Sequence, residues 1–136
     1  MHRFEIQTDR RDQMLEITRR VAEIVEAQRL QQGVAVVYVP HTTAGVCINE
    51  NADPDVVHDV LEQLDTMVPW SQPFYRHAEG NSASHVKAIM TGSSVTIPVE
   101  RSRLQLGRWQ GVWFCEYDGP RTRQVWVTLI GPDQTD

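Results

Sequence analysis

The sequence predicts a single α+β domain spanning residues 1–136: a largely antiparallel sheet or sandwich covered by two longer helices and one short one. Three observations predict it. Apolar residues recur at helical spacing in two long stretches, one before Gly33 and one after Asp53, and in a shorter stretch after Asn81. A buried-looking run, V-A-V-V-Y-V, covers 34–39. From Gly92 onward the chain is a series of short apolar or alternating runs broken by turn residues.

Residues 3–7 read as a short strand. Asp9 is a fair N-cap for a helix from about residue 10, with Met14, Ile17, Val21, Ile24, Val25 and Gln28 as its inner stripe and Gly33 as its C-cap. Val34 to Val39 then forms a central strand buried on both faces, and Val46 to Ile48 forms a second strand. Asp53-Pro54 starts a helix, Asp as N-cap and Pro at N1, and Pro69 stops it. Asn81 or Ser82 caps the short helix, which ends at Gly92. Val95, Ile97 and Val99 alternate with polar residues, and Pro98 requires an edge or a bulge there. Arg103 to Leu106 returns from a turn at Glu100-Arg101-Ser102. Gly107 to Gly111 is a bend, and Val112 to Tyr117 is buried. Asp118-Gly119-Pro120 makes a hairpin turn, and Val125 to Ile130 closes the sheet. Residues 132–136 read as a frayed tail.

Composition excludes several classes. Thirteen basic residues against 18 acidic ones leave a net charge of −5, which argues against a nucleic-acid binder. No apolar run is long enough to span a bilayer. The N-terminus, M-H-R-F-E-I-Q-T, has no apolar segment of the secretory type, so the expectation is a cytoplasmic protein. Cys47 and Cys115 sit in strand-like stretches and read as small buried hydrophobes rather than a disulfide.

The chemistry concentrates in H-A-E-G-N-S-A-S-H, residues 77–85. The turn at Gly80-Asn81 folds His77 back towards His85, with the free N–H groups of the helix start between them. That suits a metal, a phosphate, or both. Pro40-His41-Thr42-Thr43 follows a buried strand, where sites often sit. Asp53 has a sufficient job as a cap, whereas Asn49 and Glu50 have none; with Asp53, Glu50 can ligate a hard cation such as Mg²⁺. Glu116 belongs to the same candidate set. The aromatics of Trp70 to Arg76 suit a flat heterocycle or a neighbouring subunit. Arg76, Lys87, Arg103 and Arg108 are the cations nearest these motifs. No G-x-S-x-G, Walker A, G-x-G-x-x-G or H-E-x-x-H is present.

H-T-T-A (41–44), N-E-N-A-D-P (49–54), Y-R-H-x-E-G (75–80), A-x-H-x-K (83–87), I-P-V (97–99), L-G-R-W-Q-G (106–111) and E-x-D-G-P-R (116–121) together resemble the YjbQ-like family, in order and over nearly the whole chain. Two departures are Ser102, where the family usually has Gly, and a shorter segment between His77 and His85. The resemblance implies an α+β homotrimer with a polar pocket near the subunit interface. It also implies a weak thiamine-phosphate synthase activity, in which a pyrimidine-methyl diphosphate alkylates a thiazole phosphate and pyrophosphate leaves.

On that basis His41, Asn49, Glu50, Asp53 and His85 are expected to be catalytic. Thr42, Thr43, Asn81, Trp109 and Gln110 are expected to bind a phosphorylated small molecule. His41, His77 and His85 are expected to hold a divalent metal, Mg²⁺ or Zn²⁺. Two other classes stay open: a metal-dependent hydrolase with zinc-bound water, and a non-catalytic binding trimer.

Overall fold

The structure, a computed structural model, describes residues 1–132; of the expected frayed tail, residues 133–136 lie outside the described residues. In chain order the elements are β1 (His2–Gln7), β2 (Gln13–Glu16), α1 (Thr18–Ala27), β3 (Gln32–Tyr38), β4 (Ala44–Glu50), α2 (Pro54–Met67), α3 (Ser82–Thr91), β5 (Ser94–Glu100), β6 (Arg103–Leu104), β7 (Gln110–Glu116) and β8 (Thr122–Ile130). Every strand pair is antiparallel. They form a five-stranded sheet, β1-β8-β3-β5-β6, and a three-stranded sheet, β2-β7-β4. The fold is α+β, as the sequence predicts.

Alternation builds the core. Val37, Ile97, Val125 and Val127 of the larger sheet meet Val46, Val112 and Phe114 of the smaller one, and Ile17 and Val21 close the gap at the start of α1. The outer face of the smaller sheet is covered too. Met14, Cys47 and Cys115 pack there with Ala88 of α3 and with Val57, Leu61 and Leu64 of α2. The two thiols are free and their sulfurs lie 3.7 Å apart. Cys115 is buried and Cys47 half-buried, in keeping with their reading as small apolar residues.

Five expectations need correction. The first helix is shorter than its apolar stripe. Residues 13–16 pair with β7 instead, Gln13 opposite Glu116 and Glu16 opposite Trp113. Met14, Leu15 and Ile17 satisfy a strand as well as a helix, and the open edge of β7 decides between them. Asp9 is therefore no N-cap; its N–H donates to the Gln13 side chain. Gly33 is no C-cap either. It lies in β3, where a Cβ would run into the Ile130 carbonyl oxygen, so close backbone approach is its role.

The run 34–39 is central but not buried on both faces. Val34, Val36 and Tyr38 face outward opposite Ile130, Thr128 and Trp126, and Tyr38 and Ile130 are 42% and 55% exposed. Finally, Asp118-Gly119-Pro120 is not a hairpin turn, because β7 and β8 belong to different sheets. Pro98 does behave as expected. Only the two-residue β6 flanks its strand on that side, and its carbonyl accepts from Gln105 N–H at 2.8 Å.

The short helix α3 is pinned in three places, and this sets the direction of its first turn. Ser84 donates to the Tyr117 carbonyl at 2.6 Å. Thr91 and Tyr117 share a hydroxyl–hydroxyl bond. Lys87 is 1% exposed and donates to Asp12 at 2.6 Å and Asp65 at 3.1 Å. Its ammonium thus ties α3 to α2 and to the β1–β2 connection and is not available to a substrate.

Candidate functional site

A pocket of about 420 Å³ opens where three connections meet. His41, Thr42 and Thr43 come from the loop between β3 and β4, and His77, Glu79, Asn81 and His85 from the turn into α3. Asp118, Arg121 and Arg123 come from the β7–β8 crossing and the start of β8. Gly80, at φ +73°, makes the turn that brings His77 over His85, and its N–H donates to the His77 carbonyl at 3.1 Å. A second hollow of about 370 Å³ shares His41, Thr42 and His85 and runs on along α3 past Ala88 and Ile89.

The chemistry of His41 is set by one bond. Its Nε2 accepts from the backbone N–H of Gln124 at 2.9 Å. An imidazole nitrogen that accepts carries no proton, so the proton resides on Nδ1 and the ring is neutral. Burial lowers the pKa of His41, and the nearby Arg123 guanidinium lowers it further. His41 therefore offers an N–H donor, not a lone pair, to anything in the pocket.

Behind it lies a closed ion pair. The Arg123 guanidinium donates through Nε and Nη2 to the two oxygens of Glu116, and Nη2 also donates to the Thr43 hydroxyl at 2.8 Å. Glu116 is fully buried and also accepts from the Thr8 hydroxyl and from the N–H groups of Tyr117 and Asp118. With so many donors its two oxygens are fully occupied by the protein itself. Arg121, half-exposed at the mouth, donates to Asp118 at 3.0 Å. Two guanidinium groups, each already paired with an acid, thus line the pocket beside the carboxylates of Glu79 and Asp118.

The histidines fit a metal poorly within one chain. His77 and His85 stack edge to face with ring centroids 5.3 Å apart, and Nε2 of His77 lies 3.9 Å from Glu79. His41 presents a proton where a ligand needs a lone pair. Among the described residues no three His, Cys, Asp or Glu side chains converge on one point.

The structure brings together His41, Thr42, Thr43, His77, Asn81 and His85 of the expected set. It does not bring Asn49, Glu50, Asp53, Trp109 and Gln110 to them. Glu50 is paired with Gln110, and Ala44 at the pocket end of β4 with Glu116. The length of β4 separates the two groups by about 20 Å at ordinary strand rise. At the far end Asn49, Asp53 and Gln110 each have a local task. Asn49 Oδ1 accepts from Glu50 N–H. Asp53 caps α2 by accepting from Asp55 N–H at 2.9 Å. Gln110 closes its own bend by accepting from Gly107 N–H at 2.7 Å. Trp109 is 55% exposed, with the Arg108 guanidinium over its ring. The aromatics of the 70–76 loop stay outside as well: Trp70 lies under Arg11, and Phe74 is 69% exposed against Tyr75.

Arg121 and Arg123 are the cations that sequence reasoning missed. Arg76, Lys87, Arg103 and Arg108, the four it named, do not line the pocket. One signal was available. Arg123 alternates with Val125 and Val127 on the inner face of a buried strand. A charge there needs a buried partner of opposite sign, and Glu116 at the end of the previous strand is the nearest acid of that kind.

The match that decides the relationship spans residues 2–132, to the family model described as UPF0047 protein YjbQ-like. The chain belongs to the YjbQ-like family. Its relatives in that family include UPF0047 protein YugU of Bacillus subtilis, 48% identical over 94% of this chain and 97% of its own length. A UPF0047 protein of Methanocaldococcus jannaschii is 42% identical over 96% of this chain and 94% of its own length. Among solved YjbQ-like structures, that of a YjbQ/UPF0047-family protein of Clostridium acetobutylicum superposes with a TM-score of 0.93 at 47% identity, covering 96% of this chain and all of that one. Agreement at that level includes both sheets and α3, the elements that carry the pocket.

Proposed function

We propose that this protein is a small-molecule enzyme whose pocket between His41, His85 and Arg121 binds a phosphorylated substrate. The finer form of the reading is a weak thiamine-phosphate synthase activity. The observation that carries the anion-binding part is the Gln124–His41 bond, which turns His41 into an N–H donor beside Arg121 and Arg123. A neutral N–H donor and guanidinium groups held in a partly dry pocket stabilise oxygens that gain negative charge.

In the proposed reaction the thiazole nitrogen forms a bond to the pyrimidine methylene carbon. The carbon–oxygen bond to the diphosphate breaks, and pyrophosphate leaves with the electron pair. The protein's share is to bind the phosphates and to meet the charge that develops on the leaving oxygens. Any Mg²⁺ in this reading enters with the diphosphate.

Self-association as a homotrimer is part of the proposal. The uncovered face of the larger sheet, with Val34, Val36, Tyr38, Trp126 and Ile130, suits burial against another copy. Gln124, which orients His41, is exposed on the adjoining stretch of β8. A neighbouring copy is also a route by which Asn49, Glu50 and Gln110 can reach a pocket they do not reach in their own chain.

The test is formation of thiamine phosphate from its two precursors with Mg²⁺, wild type beside His85→Ala. Turnover lost in a variant that keeps its fold and assembly supports the transferase in this pocket. Turnover equal in both sinks it. Loss of the folded assembly in the variant would make His85 structural.

A further inference from the structure

We propose that the hollow along α3 is the second half of the same site and takes the uncharged ring of a phosphate ester, with Ile89 setting the preference for that ring. This rests on the phosphate-binding reading of the pocket and deepens it, by naming what the phosphate is attached to and where that group lies.

The two hollows meet at His41, Thr42 and His85, which line both. On one side of that seam stand charged groups, Glu79, Asp118, Arg121 and Arg123. On the other side stand Ala44, Ala88, Ile89, Gly92 and Ser93, where the Ser93 hydroxyl is the one polar side-chain group. A space with no charged side chain offers nothing to offset the desolvation of an ion, so its occupant is uncharged and largely apolar. Small-molecule sites combine such an apolar volume with a few polar groups that fix orientation. Because the two volumes share their seam residues, a short link carries a ligand from one into the other.

The helix gives the second hollow its shape. His85, Ala88 and Ile89 lie three and four residues apart, so they share one face of α3. Ala88 is small and nearly buried, which leaves room above it. Ile89 stands one turn beyond His85 and is 82% exposed. At the seam the imidazole of His85 is oriented edge to face by His77. A ring in the hollow covers Ile89 and meets an imidazole already held in place. The sequence points instead to Trp109 or the aromatics of residues 70–76 as the partners of a ring, and none of these lines either hollow. The thiazole phosphate of the proposed reaction is one ester of the class that fits.

The experiment is calorimetric titration of the wild-type protein with methyl phosphate and with phenyl phosphate at about pH 8, where both esters are fully ionised. The two then differ in the ring alone. Phenyl phosphate is expected to bind about tenfold more tightly or better, the gain from taking a ring and its apolar wall out of water. In Ile89→Gln, a surface change that keeps the helix and the fold, the ratio should fall to about twofold or less.

Equal binding of the two esters by wild type overturns the ring site and leaves the phosphate pocket standing. A preference that survives Ile89→Gln in full places the ring elsewhere and overturns it as well. If neither ester binds and inorganic phosphate does not bind either, the phosphate-binding reading falls and this inference falls with it.

Discussion

The pocket end of β4 and its far end carry similar residue types and are built in opposite ways. At the pocket end, Thr43, Glu116 and Arg123 are buried and bonded to one another, and His41 is held by a backbone N–H. At the far end, Asn49, Trp109 and Gln110 are exposed, and the bonds of Asn49 and Gln110 stay within their own segments. Preorganisation makes the difference. A group fixed by buried partners presents the same atom in the same place at all times, whereas an exposed one spends its bonding on water and its own loop. Polar density in the sequence is shared by both ends; buried pairing is present at one.

The sharpest way to break this contrast is to remove one partner of the buried pair. Arg123→Met leaves the buried Glu116 side chain without its partner, which is expected to lower stability by about 3–5 kcal/mol. Glu50→Gln, at the other end of the same strand pair, is expected to stay within about 0.5 kcal/mol. Urea denaturation of both variants measures this. Similar small losses in the two would mean that the pocket end is no more rigid than the far end.

A smaller effect separates capping from chemistry. Asp53→Ala removes the bond to Asp55 N–H and should cost about 1 kcal/mol, with phosphate affinity unchanged in the assembled protein. A large fall in affinity with little change in stability would place Asp53 in the site after all, across a subunit boundary.

The smallest effect compares two histidines. Burial lowers the pKa of His41, so the folded protein resists a proton that the unfolded chain accepts. Its contribution is complete above the ordinary value of 6.5 and is lost as pH falls from there through the lowered folded-state value. His58, exposed on α2, has its pKa raised by the bond to Asp59. Its contribution is present below 6.5 and is lost as pH rises through the raised value. Stability measured against pH should thus change slope in opposite senses in His41→Gln and His58→Gln. An acid limb untouched by His41→Gln would mean that the Gln124 bond does not hold the ring neutral.

Much of the fold was legible because its signals are local. Asp53-Pro54 marks the start of α2, Asn81 sits at the start of α3, and the alternation of Val95, Ile97 and Val99 marks β5. The motifs also carried the family. Periodicity misread residues 10–16, since Met14 and Leu15 serve either period, and only the free edge of β7 made them a strand.

The candidate site was legible in part for the same reason. The turn at Gly80-Asn81 joins His77 to His85 within a few residues, so local chemistry predicts that contact. The meeting of His41 with Arg123 and Glu116 spans most of the chain, and so does the bond from Thr8 to Glu116. No spacing rule reaches that far. The sequence by itself determined which segments become strands and helices, and which residues are polar enough for a site. Tertiary pairing alone decided which of those residues are desolvated together, because two sheets must close before buried charges can find their partners.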